Sequence, residues 1–275
     1  MGFVLKLGNG LPVETAAAAR KIYNIQQIYI RTGDQLESVL EGINLELIDP
    51  TASLSSESTC RLGLITAFQY LELLPDPLAE HATTSRMDWK YALRLPIQHP
   101  GISADALCVF RRNLIAFPNS AREFSRFLAA LSAFGMFSKS TSQTLSTSEV
   151  LDTVCTITRI YEMHQGMCNA VSALAAFEPE WLGCVALPHW YEHYKNTASG
   201  ASQFSLSQDE STRIANNLGA DALRLLMALR EQRLFGYTHL SEVNQLDRLF
   251  NENYAQNSAE ILWRTSGCSG CSRIG

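Results

Sequence analysis

The sequence predicts a mostly α protein, on three observations. Apolar residues recur at three- and four-residue steps through most of its length. Ser, Thr and Asp stand where several of these runs begin. Proline-containing turns such as Leu74-Pro75-Asp76-Pro77 and His99-Pro100-Gly101 punctuate them.

Taken in order, Ala16 to Ile30 carries Ala19, Ile22, Tyr23, Ile25 and Ile28 at helical spacing, and Asp34 to Leu40 gives a second short helix. Asp49 to Ser58 is a polar connector. Ser58 or Thr59 is placed to cap the helix that runs to Leu74. Asp76 is placed to cap the next, with Pro77 at its first position. Ser103 caps a helix from Ala104 to about Phe117, whose inward face is Leu107, Phe110, Leu114 and Phe117. Ser120 caps another, with Phe124, Phe127, Leu128 and Leu131 inward. Between Ser138 and Ser148 eight of eleven residues are Ser or Thr, and this shift in composition marks the boundary between two halves. Beyond it, Val150 to Phe177, Trp190 to Lys195, Gln208 to Leu218, Ala220 to Leu234 and Leu240 to Tyr254 read as helices. Asn196 to Ser207 reads as a polar loop.

Composition narrows the function. At 275 residues, 46% hydrophobic and 18% charged, the chain can bury a substantial core. No window reaches about 18 uninterrupted apolar residues, which excludes a helical membrane span. The N-terminus lacks the pattern of a secretory signal, so cytoplasmic residence and reduced cysteines are expected. The net charge of −5 runs against a nucleic-acid surface. Residues 58–137, with eight basic and six acidic side chains, are the one net-positive segment.

Within that segment, Leu78 to Phe117 fits a helix-turn-helix, in which a second helix presents its outer side chains to the major groove. The apolar stripe of the Ala104–Phe117 helix leaves Ser103, Asp105, Arg111 and Arg112 on or near the outer face, where Arg pairs with guanine or phosphate. The plain alternative is that both arginines are solvated charges on an amphipathic helix. In Asp88-Trp89-Lys90-Tyr91 the two aromatics read as packing anchors, with Asp88 and Lys90 outside.

Motifs of several enzymes are missing. Gly8-Asn9-Gly10 lacks the later glycine and lysine of a nucleotide-binding loop. Cys268-Ser269-Gly270-Cys271 has no second cysteine pair with which to close a zinc site. His189 and His193 share a helical spacing, but Trp190 stands where a metalloprotease carries its glutamate. No cofactor and no native metal site are expected.

The most informative stretch is Arg86-Met87-Asp88-Trp89-Lys90-Tyr91-Ala92-Leu93. It follows the helix Arg61–Glu72 and the break Leu74-Pro75-Asp76, and it precedes Phe110-Arg111-Arg112-Asn113-Leu114. In this order the blocks resemble the N-terminal domain of bacterial insertion-sequence transposases of the DDE type, whose corresponding block reads RIDWKYAL. Gly10-Leu11-Pro12-Val13-Glu14-Thr15 resembles the opening of that family. Pro179-Glu180-Trp181-Leu182, Pro188 to Tyr194 and Gly219 to Leu226 resemble the helical segment that these enzymes insert into a split RNase H-like catalytic domain. The similarity covers roughly residues 10 to 264.

The resemblance implies a division into a helical arm (1–57), a DNA-binding-like domain (58–137), a linker left from the first catalytic strand (138–148), an all-helical insertion (149–264) and a divergent tail (265–275). It implies contact with duplex DNA, the terminal inverted repeats, through Arg86, Lys90, Ser103, Arg111 and Arg112. It also implies a truncated, catalytically incomplete member. Aligned on Val150-Leu151, the first catalytic aspartate is replaced by Ser146, and the other two carboxylates of the family fall past Gly275. Serine is a poor ligand for the magnesium pair on which such enzymes depend. Glu149 and Asp152 lie nearby, but at a helix start, where acidic residues favour the helix dipole. Two rival readings are an active transposase completed by a second polypeptide, and a protein–protein scaffold. An insertion deprived of its sheet would also expose apolar surface and self-associate.

Overall fold

The computed structural model describes residues 10–51, 53–137, 145–194, 208–231, 240–256 and 261–264. The tail with its cysteine pair, most of the serine-rich linker, the 196–207 loop and Leu234 lie outside them. The described chain is mostly helical and divides into two compact units, residues 1–154 and 155–275. The division falls inside one long helix, a short way past the serine-rich linker.

The first unit contains α1 (Val13–Ile22), α2 (Ile28–Val39), α3 (Leu45–Ile48), α4 (Ser56–Glu72), α5 (Asp76–Ser85), α6 (Met87–Ala92), α7 (Ala104–Ala116), α8 (Pro118–Ala133) and the start of α9 (Thr147–Phe177). The single helix expected from Ala16 to Ile30 is two. α1 ends at Ile22, and α2 begins where the Gln27 side chain accepts the Ile30 amide at 3.2 Å. The short helix expected from Asp34 is the far end of α2, past a distortion at Gln35. Ser55, not Ser58 or Thr59, caps α4 by accepting from the Ser58 amide at 3.1 Å. Leu73 then turns left-handed at φ 54° and ends it. Ser103 caps α7 as expected, accepting from the Ala106 amide at 3.3 Å. Ser120 does not cap α8. Pro118 opens that helix, and Ser120 is buried within it, its hydroxyl unpaired.

Helix α6 lies against α1 and α2, α5 and α4 pack on α7, and α3 and α7 pack on α8. Tyr29, Phe68 and Trp89 form one aromatic group, with the Phe68 and Trp89 rings 5.2 Å apart and edge to face. Phe110, Phe124 and Phe127 form another, closed by Leu107, Leu114, Leu128 and Leu131. Phe117 departs from the expected inward face: it is the junction residue between α7 and α8 and is 39% exposed.

The second unit contains the rest of α9, then α10 (Pro179–Val185), α11 (Trp190–His193), α12 (Gln208–Glu231), α13 (Ser241–Asn253) and a small antiparallel pair, β1 (Tyr254–Gln256) and β2 (Ile261–Trp263). α12 runs unbroken through Gly219, where two helices were expected. The glycine is there for space: a Cβ would drive into the Tyr254 ring, whose hydroxyl donates to the Ala215 carbonyl at 2.5 Å. Trp190, Met163, Met167, Leu225, Leu246 and Trp263 belong to a core internal to this unit. Cys60, Cys168 and Cys184 are free thiols, whereas Cys155 is disulfide-bonded, which corrects the expectation of reduced cysteines throughout.

Candidate nucleic-acid interface and a histidine cleft

The segment Arg86–Leu93 forms α6 and its edges, and its side chains turn inward almost without exception. Trp89 and Tyr91 are fully buried, as their aromatic character predicts. Asp88 and Lys90 were expected outside and are only 4% exposed. Asp88 accepts from Arg86 at 2.8 Å, from the Gln27 amide group at 3.1 Å and from the Trp89 backbone at 2.9 Å. The Lys90 ammonium donates to the carbonyls of Ile97 and His99, which pins the turn that leads into α7. The shortness of α6 explains the inversion: six residues held between α1, α2 and α5 have little face left for solvent.

Arg86 is also committed. It bridges Asp88 and Glu72, and its guanidinium lies 5.1 Å from the Trp89 ring centre and 5.5 Å from that of Tyr29. Burial alone would lower its pKa, but the two carboxylates outweigh that and leave it raised. Glu72 additionally accepts from the Tyr29 hydroxyl and the Trp89 indole.

Arg111 is the clearest correction. Its side chain is 2% exposed and forms a buried ion pair with Asp76, with Gln69 alongside. The 100° step of a helix places residue 111 between Leu107 and Cys108, both buried, at the edge of the packed face. Asp76 therefore serves this pair, and no side-chain cap forms at the start of α5. Arg112, one position on, is half-buried. Ser103 is exposed at the start of α7, but the Glu80 carboxylate accepts the Ala104 amide beside it at 2.9 Å and Asp105 occupies the first turn. Arg122 is exposed on α8.

Ser146 has a local role. Its hydroxyl accepts the Glu149 amide at 3.2 Å, as an N-cap of α9 does, with Glu149 in the first turn.

The second unit holds a cleft of about 610 Å³ between α11 and α12, lined by His164, His189, His193, Tyr194, Arg213 and Asp221 among others. Asp221, 7% exposed, accepts from Tyr194 Oη at 2.6 Å and lies 2.9 Å from His189 Nε2. His164 Nε2 is 2.9 Å from the His193 carbonyl, and burial lowers its pKa. The spacing of His189 and His193 was legible in the sequence. Asp221, thirty-two residues on from His189, was not, because only the packing of α11 against α12 brings it there.

No family model, no curated protein and no solved structure matches the chain.

Proposed function

We propose that the chain is a duplex-DNA-binding relative of the DDE transposases, one that recognises transposon ends and does not cleave DNA by itself. The observation that carries this reading is the ordered series of sequence blocks centred on Arg86–Leu93. The interior position of that block is consistent with it: eight residues fixed by ion pairs and ring contacts form a framework, and a framework leaves DNA contact to other side chains. Arg111, Lys90 and Arg86 are thereby assigned to holding the domain together. Contact with phosphate falls instead to Arg112 and Arg122, with Ser103 at the exposed start of α7. Ser146, a helix cap, leaves the first carboxylate position without a charge for magnesium.

Fluorescence anisotropy with labelled insertion-sequence ends and scrambled duplexes, at two salt concentrations, tests the proposal. The ends should bind more tightly than the scrambled duplexes, with affinity falling as salt rises. Arg112→Ala with Arg122→Ala should weaken binding and flatten the salt slope by about one unit for each phosphate no longer neutralised. Absent binding, or equal affinity for both duplexes, would overturn it.

A further inference from the structure

We propose that His189 and His193 form a two-histidine site for a divalent transition-metal ion of the Zn²⁺ or Ni²⁺ kind. Such a site is independent of DNA binding. His189 is the N-cap of α11 and has helical backbone angles (φ −69°, ψ −19°), so the two residues sit one turn apart on the same face. Their ring centres are 5.3 Å apart. With a metal–nitrogen distance of about 2.1 Å, two imidazoles on one tetrahedral ion have ring centres about 5 Å apart.

The surroundings fix the His189 ring and the backbone at His193. His189 Nε2 faces the Asp221 carboxylate at 2.9 Å, which holds the proton on Nε2 and frees the Nδ1 lone pair for a metal. Tyr194 Oη donates to the same carboxylate oxygen and steadies it. On the other side, His164 Nε2 holds the His193 carbonyl and anchors the end of α11. The carboxylate behind His189 is the arrangement that orients a histidine for a metal, whereas the tether at the His193 carbonyl holds only the backbone from which that ring extends.

Among the described residues no three His, Cys, Asp or Glu side chains are grouped to hold a metal, so water completes the shell. The site is therefore an open, exchangeable chelate rather than a closed structural one. His189 and His193 are exposed at the mouth of the cleft, where such waters have room. Borderline divalent ions suit imidazole, and the charge of Asp221 offsets that of Arg213 in the same cleft.

The test is calorimetric titration of the full chain with Ni²⁺, without reductant so that the Cys155 disulfide stays closed, in a Cys184→Ser background that removes the exposed thiol. One saturable Ni²⁺ site is expected. His189→Ala and His193→Ala should each weaken it at least tenfold, and Asp221→Asn by about tenfold, as removal of a carboxylate behind a ligating histidine does. His81→Ala, in the other unit, should leave affinity unchanged, and circular dichroism should show the same helix content in every variant. The site is overturned if the parent shows no saturation up to millimolar Ni²⁺. It is equally overturned if either histidine variant binds as the parent does.

Discussion

Arg111 and Asp76 meet inside the first unit, their side chains 2% and 7% exposed, and join α7 to α5. An arginine that reads as an outward base contact is, in the fold, half of a buried ion pair. Removing one member leaves the other charged and unpaired in the interior, at a cost of about 3–5 kcal/mol. Arg111→Ala should therefore lower the stability of this unit by about that amount in urea unfolding. Replacing both partners with apolar residues, as in Arg111→Met with Asp76→Leu, should recover most of the loss. A single variant within about 0.5 kcal/mol of the parent, the usual range for surface positions, would show that the pair is not buried.

Two glycines mark close approaches. A Cβ at Gly33, on α2, would lie 2.6 Å from the Tyr91 ring and 2.9 Å from the Tyr91 carbonyl oxygen. A Cβ at Gly219 would meet the Tyr254 ring. Alanine in a helix ordinarily gains about 1 kcal/mol over glycine. At both positions the contact should outweigh that gain, so Gly33→Ala and Gly219→Ala lower the thermal midpoint. A rise in either midpoint would place the neighbouring helices farther apart.

Acid should loosen the second unit. His164 is half-buried beside Tyr194 and Cys168, and that burial holds its pKa below the ordinary histidine value. A histidine with a lowered folded pKa is charged more readily in the unfolded chain. Its stabilising contribution is thus present above pH 6.5, the unfolded value, and falls away at pH values below it. Thermal midpoints measured between about pH 7.5 and 5 should fall for the parent and fall less steeply for His164→Gln. Parallel profiles for the two proteins would remove His164 as the cause.

Thiol reactivity should follow exposure. Burial pushes the Cys60 thiol up to about 12 and the Cys168 thiol up to about 11, which leaves almost no thiolate at neutral pH. Cys184 is exposed. Brief iodoacetamide treatment of the native protein, mapped by mass spectrometry, should modify Cys184 well before Cys60, Cys108 or Cys168. Equal labelling would mean that these helices open readily.

Metal-dependent nicking should be absent. Among the described residues no carboxylate cluster suited to magnesium occurs, and Ser146 caps a helix. Aspartate is also a good cap, so Ser146→Asp should fold normally. That variant should still fail to nick supercoiled DNA in Mg²⁺ or Mn²⁺. Nicking by highly purified protein, abolished by a substitution within the chain, would contradict the proposed function.

Much of the helical architecture was legible because it depends on short-range periodicity. The inward sets Phe124, Phe127, Leu128 and Leu131 on α8, and Leu107, Phe110 and Leu114 on α7, follow from 3.6 residues per turn and are buried as read. Trp89 and Tyr91 followed from the preference of large aromatics for cores. Boundaries were less legible. Ser55 rather than Ser58 caps α4, and α12 passes through Gly219, because several caps compete locally and packing selects among them.

The sequence by itself determined the helical class, the inward faces of the longer helices and the serine-rich break before α9. Only the tertiary structure decided where the charges go. Lys90, Asp88, Arg86 and Arg111 occupy positions that helical periodicity leaves open, and their partners come from Ile97, Gln27, Glu72 and Asp76. The same holds for Asp221 behind His189. The physical reason is specificity of partner: apolar burial repeats along a helix and is written into neighbouring residues, whereas an ion pair or a buried hydrogen bond needs one particular partner, and nothing local names a partner that only the fold brings alongside.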